Sequence, residues 1–159
     1  MFFSLKVRGF TFIELMVTLA ILALLASIAT PLVQVSMQRT KEQKLTESLR
    51  QIREAIDAYK KASDEGHIKK SAEESGYPAT LSLLVDGVED IKDPKRRKIF
   101  FLRKLPQDPI QDEVKDGDDN WGKRSYQSPA DDPKEGDDVF DVYSTSNELG
   151  LNGVAYREW

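Results

Sequence analysis

From Leu15 to Val35 the chain runs for 21 residues without a charged side chain, and only Thr18, Ser27, Thr30 and Gln34 in that stretch are polar. At ~1.5 Å rise per residue, a helix of this length spans roughly 31 Å, about the thickness of a bilayer's hydrocarbon core. A core helix of a soluble protein rarely stays apolar on every face for so long. The remainder of a 159-residue chain could not easily enclose one. The run therefore predicts a membrane-spanning helix. Pro31, near its far end, predicts a kink, because a helix-interior proline removes a backbone bond and clashes with the preceding turn. Glu14 sits at the near end. A carboxylate at the membrane edge is costly unless paired, which marks it as a functional residue; the plainer reading seats it among the headgroups.

Residues 1–9 read MFFSLKVRG, with Lys6 and Arg8 as the only charges. A short basic leader, then Gly9-Phe10-Thr11-Phe12-Ile13-Glu14, then an unbroken apolar run resembles the class III signal of type IV pilins and type II secretion pseudopilins. The resemblance implies that a prepilin peptidase cuts between Gly9 and Phe10 and that the new amine on Phe10 is methylated. It also implies that Glu14 pairs with the N-terminal amine of a neighbouring subunit, and that Pro31 is the family's helix-kinking proline. The chemistry is consistent with those roles. Glycine offers a small residue before the scissile bond, and the freed amine is a cation about one helical turn from Glu14. In a low-dielectric setting their pairing is worth several times its surface value.

One rival stands beside this reading. Ser27-Ile28-Ala29 satisfies the small-x-small rule of an ordinary signal peptidase, which would release a periplasmic protein starting at Thr30. Against it, Glu14 would sit just before the hydrophobic region. Flanking charge does not settle orientation, since Lys6 and Arg8 lie on one side and Arg39, Lys41 and Lys44 on the other. A single-pass inner-membrane protein with a periplasmic C-terminal head follows from the resemblance alone.

Beyond Val35 the sequence turns polar but keeps helical spacing. Leu45, Leu49, Ile52, Ile56 and Tyr59 form one apolar stripe, with Ala55 and Ala62 beside it, and no proline or glycine interrupts residues 32–65. Gly66 is the expected stop. The divisions expected are a leader over 1–9, a transmembrane and assembly helix over 10–35, an amphipathic spine helix over 36–65 and a globular head over 66–159. A short coiled coil is the alternative use of the stripe, but the region that follows needs a helix to pack on.

Thr80 to Val85 reads as a helical turn with Thr80 as its N-cap. Ile99 to Leu102 suits a buried strand or short helix. Arg124 to Ser128 and Val139 to Ser144 read as strands. The fold class expected is α+β: a long N-terminal helix packed on a small antiparallel sheet, as in type IV pilins. The basic tetrad Lys95-Arg96-Arg97-Lys98 reads as a solvated loop or a contact with the acidic C-terminal third, which carries fourteen acids against five bases from Pro106 onward. No aromatic interleaving points to nucleic acid, and none is expected as a partner.

Asp108-Pro109, Trp121-Gly122, a Tyr126 strand, Phe140 to Ser144 and a Gly/Asn/Glu loop resemble the G-type, or major, pseudopilin of type II secretion systems. In that family the last loop binds calcium through aspartates and backbone carbonyls. Here the nearest acid is Glu148, with Asn147 and Asn152 as neutral oxygens, a thin set for an ion that takes six to eight hard ligands. Calcium is the one cofactor implied, against a loop closed by hydrogen bonds and by packing of Trp159. Asp116, Asp118 and Asp119 look like a fragment of a calcium loop, but without an EF-hand's final glutamate they default to a solvated turn.

The chain has no cysteine and a single histidine, His67, which removes disulfides, thiol nucleophiles and multi-histidine metal sites. It contains neither a complete GxxxxGK[ST] phosphate-binding loop, since Arg124 follows the one GxxxxGK spacing at Gly117 to Lys123, nor a GxSxG turn. The expectation is a structural, non-enzymatic subunit of a diderm bacterium. It would polymerise with itself and with other pseudopilins or pilins, and engage the prepilin peptidase and an inner-membrane assembly platform. A type IV pilus or minor pilin subunit, for adhesion, motility or DNA uptake, is the alternative, although it would often carry a C-terminal disulfide that this chain cannot form. A membrane-anchored or secreted periplasmic binding module that never polymerises is the second alternative.

Overall fold

A computed structural model describes residues 9–111 and 117–159, with the backbone alone at position 28. The leader call on residues 1–8 and the call on Asp116 lie outside the described residues. Helix α1 spans Phe12–Asp64, α2 Ser82–Asp86. Strands β1 (Val88–Glu89) and β2 (Lys98–Ile99) precede β3 (Gly122–Arg124) and β4 (Asp141–Tyr143). Short 3-10 turns cover Gly117–Asn120 and Tyr156–Glu158. The chain divides into two compact units, Met1–Arg39 and Thr40–Trp159.

In the first unit, the described side chains of the apolar run are exposed, Leu15, Ile21, Leu25 and Leu32 among them. Among the described residues, one helix is long and apolar enough to cross a membrane, and none of its most apolar window is buried. An uncovered apolar surface of this extent requires lipid or other helices as its environment. The hydroxyls inside the run need no water. Thr18 donates to the Leu15 carbonyl, Ser27 to Ala23 and Thr30 to Ala26, each at 2.9 Å. Helix α1 continues through Pro31.

The second unit forms around the predicted stripe. Leu45, Leu49, Ile52, Ile56 and Tyr59 are all buried, joined by Leu81, Leu84, Leu102, Trp121, Val142 and Tyr156. Burying each large aliphatic stripe residue is worth ~1.5–3 kcal/mol. The helix stops where the sequence says it should. Gly66 adopts φ +77°, and the bonds His67 N to Ala62 O and Gly66 N to Ser63 O close a Schellman cap.

The sheet is smaller than the alternation suggests. Instead of one sheet there are two antiparallel ladders, β1–β2 with Val88 opposite Ile99 and β3–β4 with Lys123 opposite Val142. The strand expected over Arg124 to Ser128 ends at Arg124. Ser125 and Tyr126 turn away to serve Asp138, which accepts from the Ser125 hydroxyl at 2.8 Å and the Tyr126 amide at 2.9 Å. Of the second expected strand only Asp141–Tyr143 pairs, because the Val139 amide bonds the Pro78 carbonyl instead. Helix α2 starts at Ser82 with no side-chain cap, so Thr80 is not the N-cap; its hydroxyl meets that of Ser82. Ile99 to Leu102 splits, Ile99 in β2, Phe100 exposed and Leu102 buried.

The resemblance residues of the head gather in one place. Asp108 is buried and accepts from the Ile110 amide at 2.9 Å and the Ser144 hydroxyl at 2.6 Å. The Trp121 indole donates to the Pro106 carbonyl at 2.9 Å. Gly122 lies under the Tyr143 ring, which leaves no room for a Cβ. Arg53 ties the helix to the ladder and the last loop: its guanidinium donates to Asp141 at 2.8 Å, to the Val142 carbonyl at 3.0 Å and to the Trp159 carbonyl at 2.9 Å.

Candidate functional site

The predicted processing residues lie ahead of α1. Gly9, Phe10 and Thr11 are non-helical, and Gly9 and Phe10 are exposed. Among the described residues, a Cβ placed on Gly9 would meet nothing within 4 Å. The fold makes no steric demand for glycine at this position. An exposed peptide outside regular structure is the form in which a protease can take a chain.

Thr11 is the N-cap of α1, its carbonyl accepting the first helical bond from Leu15 at 3.1 Å. Glu14 is the third helical residue, and the two side chains cap each other's amides. The Glu14 amide donates to the Thr11 hydroxyl at 3.3 Å, and the Thr11 amide donates to Glu14 Oε2 at 2.9 Å. The Thr11 hydroxyl also donates to Oε2 at 2.9 Å. This is a capping box, and Thr-x-x-Glu is its sequence signature, a signal present in the chain that the membrane reading passes over. Oε1 takes part in none of these bonds. Glu14 thus caps its own helix with one oxygen and offers the other.

Of the loop residues named for calcium, the two asparagines have their side-chain oxygens engaged and Glu148 is exposed. Asn152 Oδ1 accepts from the Val154 amide at 3.0 Å, and Asn147 Oδ1 faces the Arg157 guanidinium at 3.4 Å. Glu148 contributes its backbone, accepting from the Tyr156 amide at 3.0 Å and donating to the Ser146 hydroxyl at 3.2 Å. The loop is closed by those bonds, by the Leu149–Ala155 bridge and by the Trp159 ring set edge-on against Tyr156 at 5.2 Å. Among the described residues no three acids or histidines gather as a metal would need. With a guanidinium on one proposed ligand and an amide on another, this arrangement does not fit a resident calcium ion. Asp118 is turned to the Leu81 amide at 3.1 Å, and Asp119 is exposed.

The basic tetrad is tied locally. Arg97 pairs with Asp93 at 2.6 Å, Lys98 donates to the Asp86 carbonyl at 3.1 Å and Arg96 lies 3.8 Å from Glu89. The Arg97 guanidinium and nearby amides hold the Asp93 carboxyl below its usual range. His67 is likewise a loop anchor: its Nδ1 meets Asp90 at 2.9 Å, and that bond lowers the Asp90 carboxyl.

A model of the family described as "Prokaryotic N-terminal methylation motif" matches residues 4–30. The chain is 32% identical over 108 residues to the type II secretion system core protein G of Klebsiella pneumoniae, covering 64% of this chain and 68% of that one. With the protein of the same name from Vibrio cholerae it shares 29% identity over 149 residues, or 91% and 86% of the two chains. With that of Escherichia coli it shares 31% over 108 residues, or 65% and 67%. No solved structure matches.

Proposed function

The chain belongs to the type II secretion system core protein G family, and from that premise we propose how it matures and assembles. It is a structural subunit, a pseudopilin with a prepilin methylation motif. A prepilin peptidase cuts the Gly9–Phe10 bond and methylates the amine left on Phe10. The run after Phe10 stays in the inner membrane with the head on the periplasmic side, until an assembly platform and its cytoplasmic motor draw the subunit into a filament with its own kind and with other pseudopilins. The growing filament pushes folded cargo outward. The chain performs no chemistry of its own in this scheme.

The observation that carries the reading is the state of the helix start. The scissile peptide is exposed and non-helical, and Glu14 keeps Oε1 outside its own capping box. An incoming ammonium can therefore pair with Glu14 while Thr11 remains capped. In the membrane that pair is worth several times its surface value and fixes the axial step between subunits. Pro31 supports a local bend, since its missing N–H leaves the Ser27 carbonyl without its helix bond.

Intact mass of the membrane-extracted protein, with and without co-expressed peptidase, tests the first step. A chain starting at Phe10 and carrying one extra methyl is expected; a chain starting at Thr30 would overturn the scheme. Glu14→Ala tests the second. The variant is expected to insert and to keep its head melting temperature while sheared filaments disappear, and abundant filaments from it would remove Glu14 from assembly.

A further inference from the structure

Glu42 lies on α1 within the unit Thr40–Trp159, three residues before the first buried stripe position, Leu45. Its Oε1 accepts two bonds from the far end of the chain: the Leu151 amide at 2.7 Å and the Tyr156 hydroxyl at 3.0 Å. One carboxylate oxygen thereby joins the tip of the last loop to the ring at its base. Tyr156 is 1% exposed, so its hydroxyl has little access to water as a substitute acceptor.

The polarity of this arrangement decides what can organise the loop. A cation gathers oxygens; an anion gathers N–H and O–H groups. At Glu42 the loop presents donors, Leu151 N–H and Tyr156 O–H. Its side-chain acceptors at Asn147 and Asn152 are already taken by Arg157 and the Val154 amide. Two guanidiniums stand against the same segment, Arg157 on Asn147 and Arg53 on the Trp159 carbonyl. A divalent cation would meet like charge there.

We propose that Glu42 is the structural ligand of the loop running from Ser146 to Trp159, an anion supplied by the helix, and that the loop folds without a divalent cation. The assignment rests on the loop's own hydrogen bonds and stands whichever filament the chain builds.

The test uses the full chain in detergent, with thermal melting and amide hydrogen exchange of peptides covering 147–157. The melting midpoint and loop protection of the unaltered chain are expected to be the same in EDTA and in calcium chloride. A chelator-induced drop in either would overturn the proposal. Glu42→Ala is expected to lower the midpoint by about 5 °C or more and loop protection by about tenfold, since two donors lose their acceptor. Unchanged protection would overturn it as well. Should Glu42→Ala fail to fold, Tyr156→Phe removes one donor and keeps the ring. Its effect should be several-fold smaller in a Glu42→Gln background than alone, and equal effects in both backgrounds would separate the two residues and reject the assignment.

Discussion

Arg50 and Arg53 stand on the same helix, three residues apart, and their replacement by methionine should have very different consequences. Methionine keeps most of the apolar stem, so the comparison isolates the guanidinium. Arg53 makes three bonds to distant parts of the head, and the ion pair with Asp141 is partly shielded, with 38% of the Arg53 side chain exposed. Hydrogen bonds from a charged donor are worth ~1.5–3 kcal/mol when buried, and solvent screening at this exposure cuts that figure. Asp141 also keeps Arg124 at 3.3 Å, so its carboxylate is not orphaned by the change. The net loss expected is about 2 kcal/mol. For a compact unit of about 120 residues this corresponds to a fall in midpoint of roughly 6–10 °C. Arg50 pairs with Glu47 and Glu54 on the open face, and pairs of that kind are worth ~0.3–0.5 kcal/mol. Its variant, losing two such pairs, should melt roughly 2–5 °C below the parent. Melting followed by tryptophan fluorescence in detergent reads both. Equal drops for the two variants would show that the long-range clamp does not hold the head together.

Two further perturbations follow from buried or part-buried acids. Burial works to raise the Asp138 carboxyl, but bonds from Ser75, the Tyr126 amide and Ser125 outweigh it and hold it below the usual range. Its stabilisation is therefore fully present above the unfolded value of ~3.9 and lost as pH falls through the folded one. The parent's melting temperature should fall more steeply below about pH 4 than that of Asp138→Asn, whereas parallel curves would remove Asp138 from the acid response. Asp108→Ala leaves the Ser144 hydroxyl and the Ile110 amide without their acceptor in a site where Asp108 is 3% exposed, and should cost about 2–4 kcal/mol in urea unfolding. A cost below about 1 kcal/mol would mean that water reaches the knot.

Local spacing encodes the parts of this fold that are themselves local. The stripe from Leu45 to Tyr59 and the stop at Gly66 are legible because a helix repeats every 3.6 residues and a Schellman cap needs positive φ at one position. The ladders are not, because each is two or three residues long and its ends are set by competition. Ser125 and Tyr126 have strand-like alternation, yet Asp138 takes them out of the ladder. The calcium expectation followed residue types along the loop. Beside its local bonds, the loop meets Glu42 and Arg53, which lie more than 100 positions away in sequence and are invisible to such a reading. At the N-terminus the sequence singles out the acid at position 14, and the Thr11 spacing that caps it is equally visible, but that spacing speaks to helix initiation and not to the membrane.

A Cβ at Gly9 would meet nothing within 4 Å among the described residues. Packing among the described residues therefore does not call for glycine here, and the proposed cut is what would call for it. Under the proposed maturation, a bulky residue there would block the cut and leave a subunit with the same head and the same apolar helix that could not enter the filament as a finished unit. Such a chain would act as a competitor in that scheme, not as a null. In a polymer that grows by adding one subunit after another, interference scales with the fraction of such chains in the membrane pool.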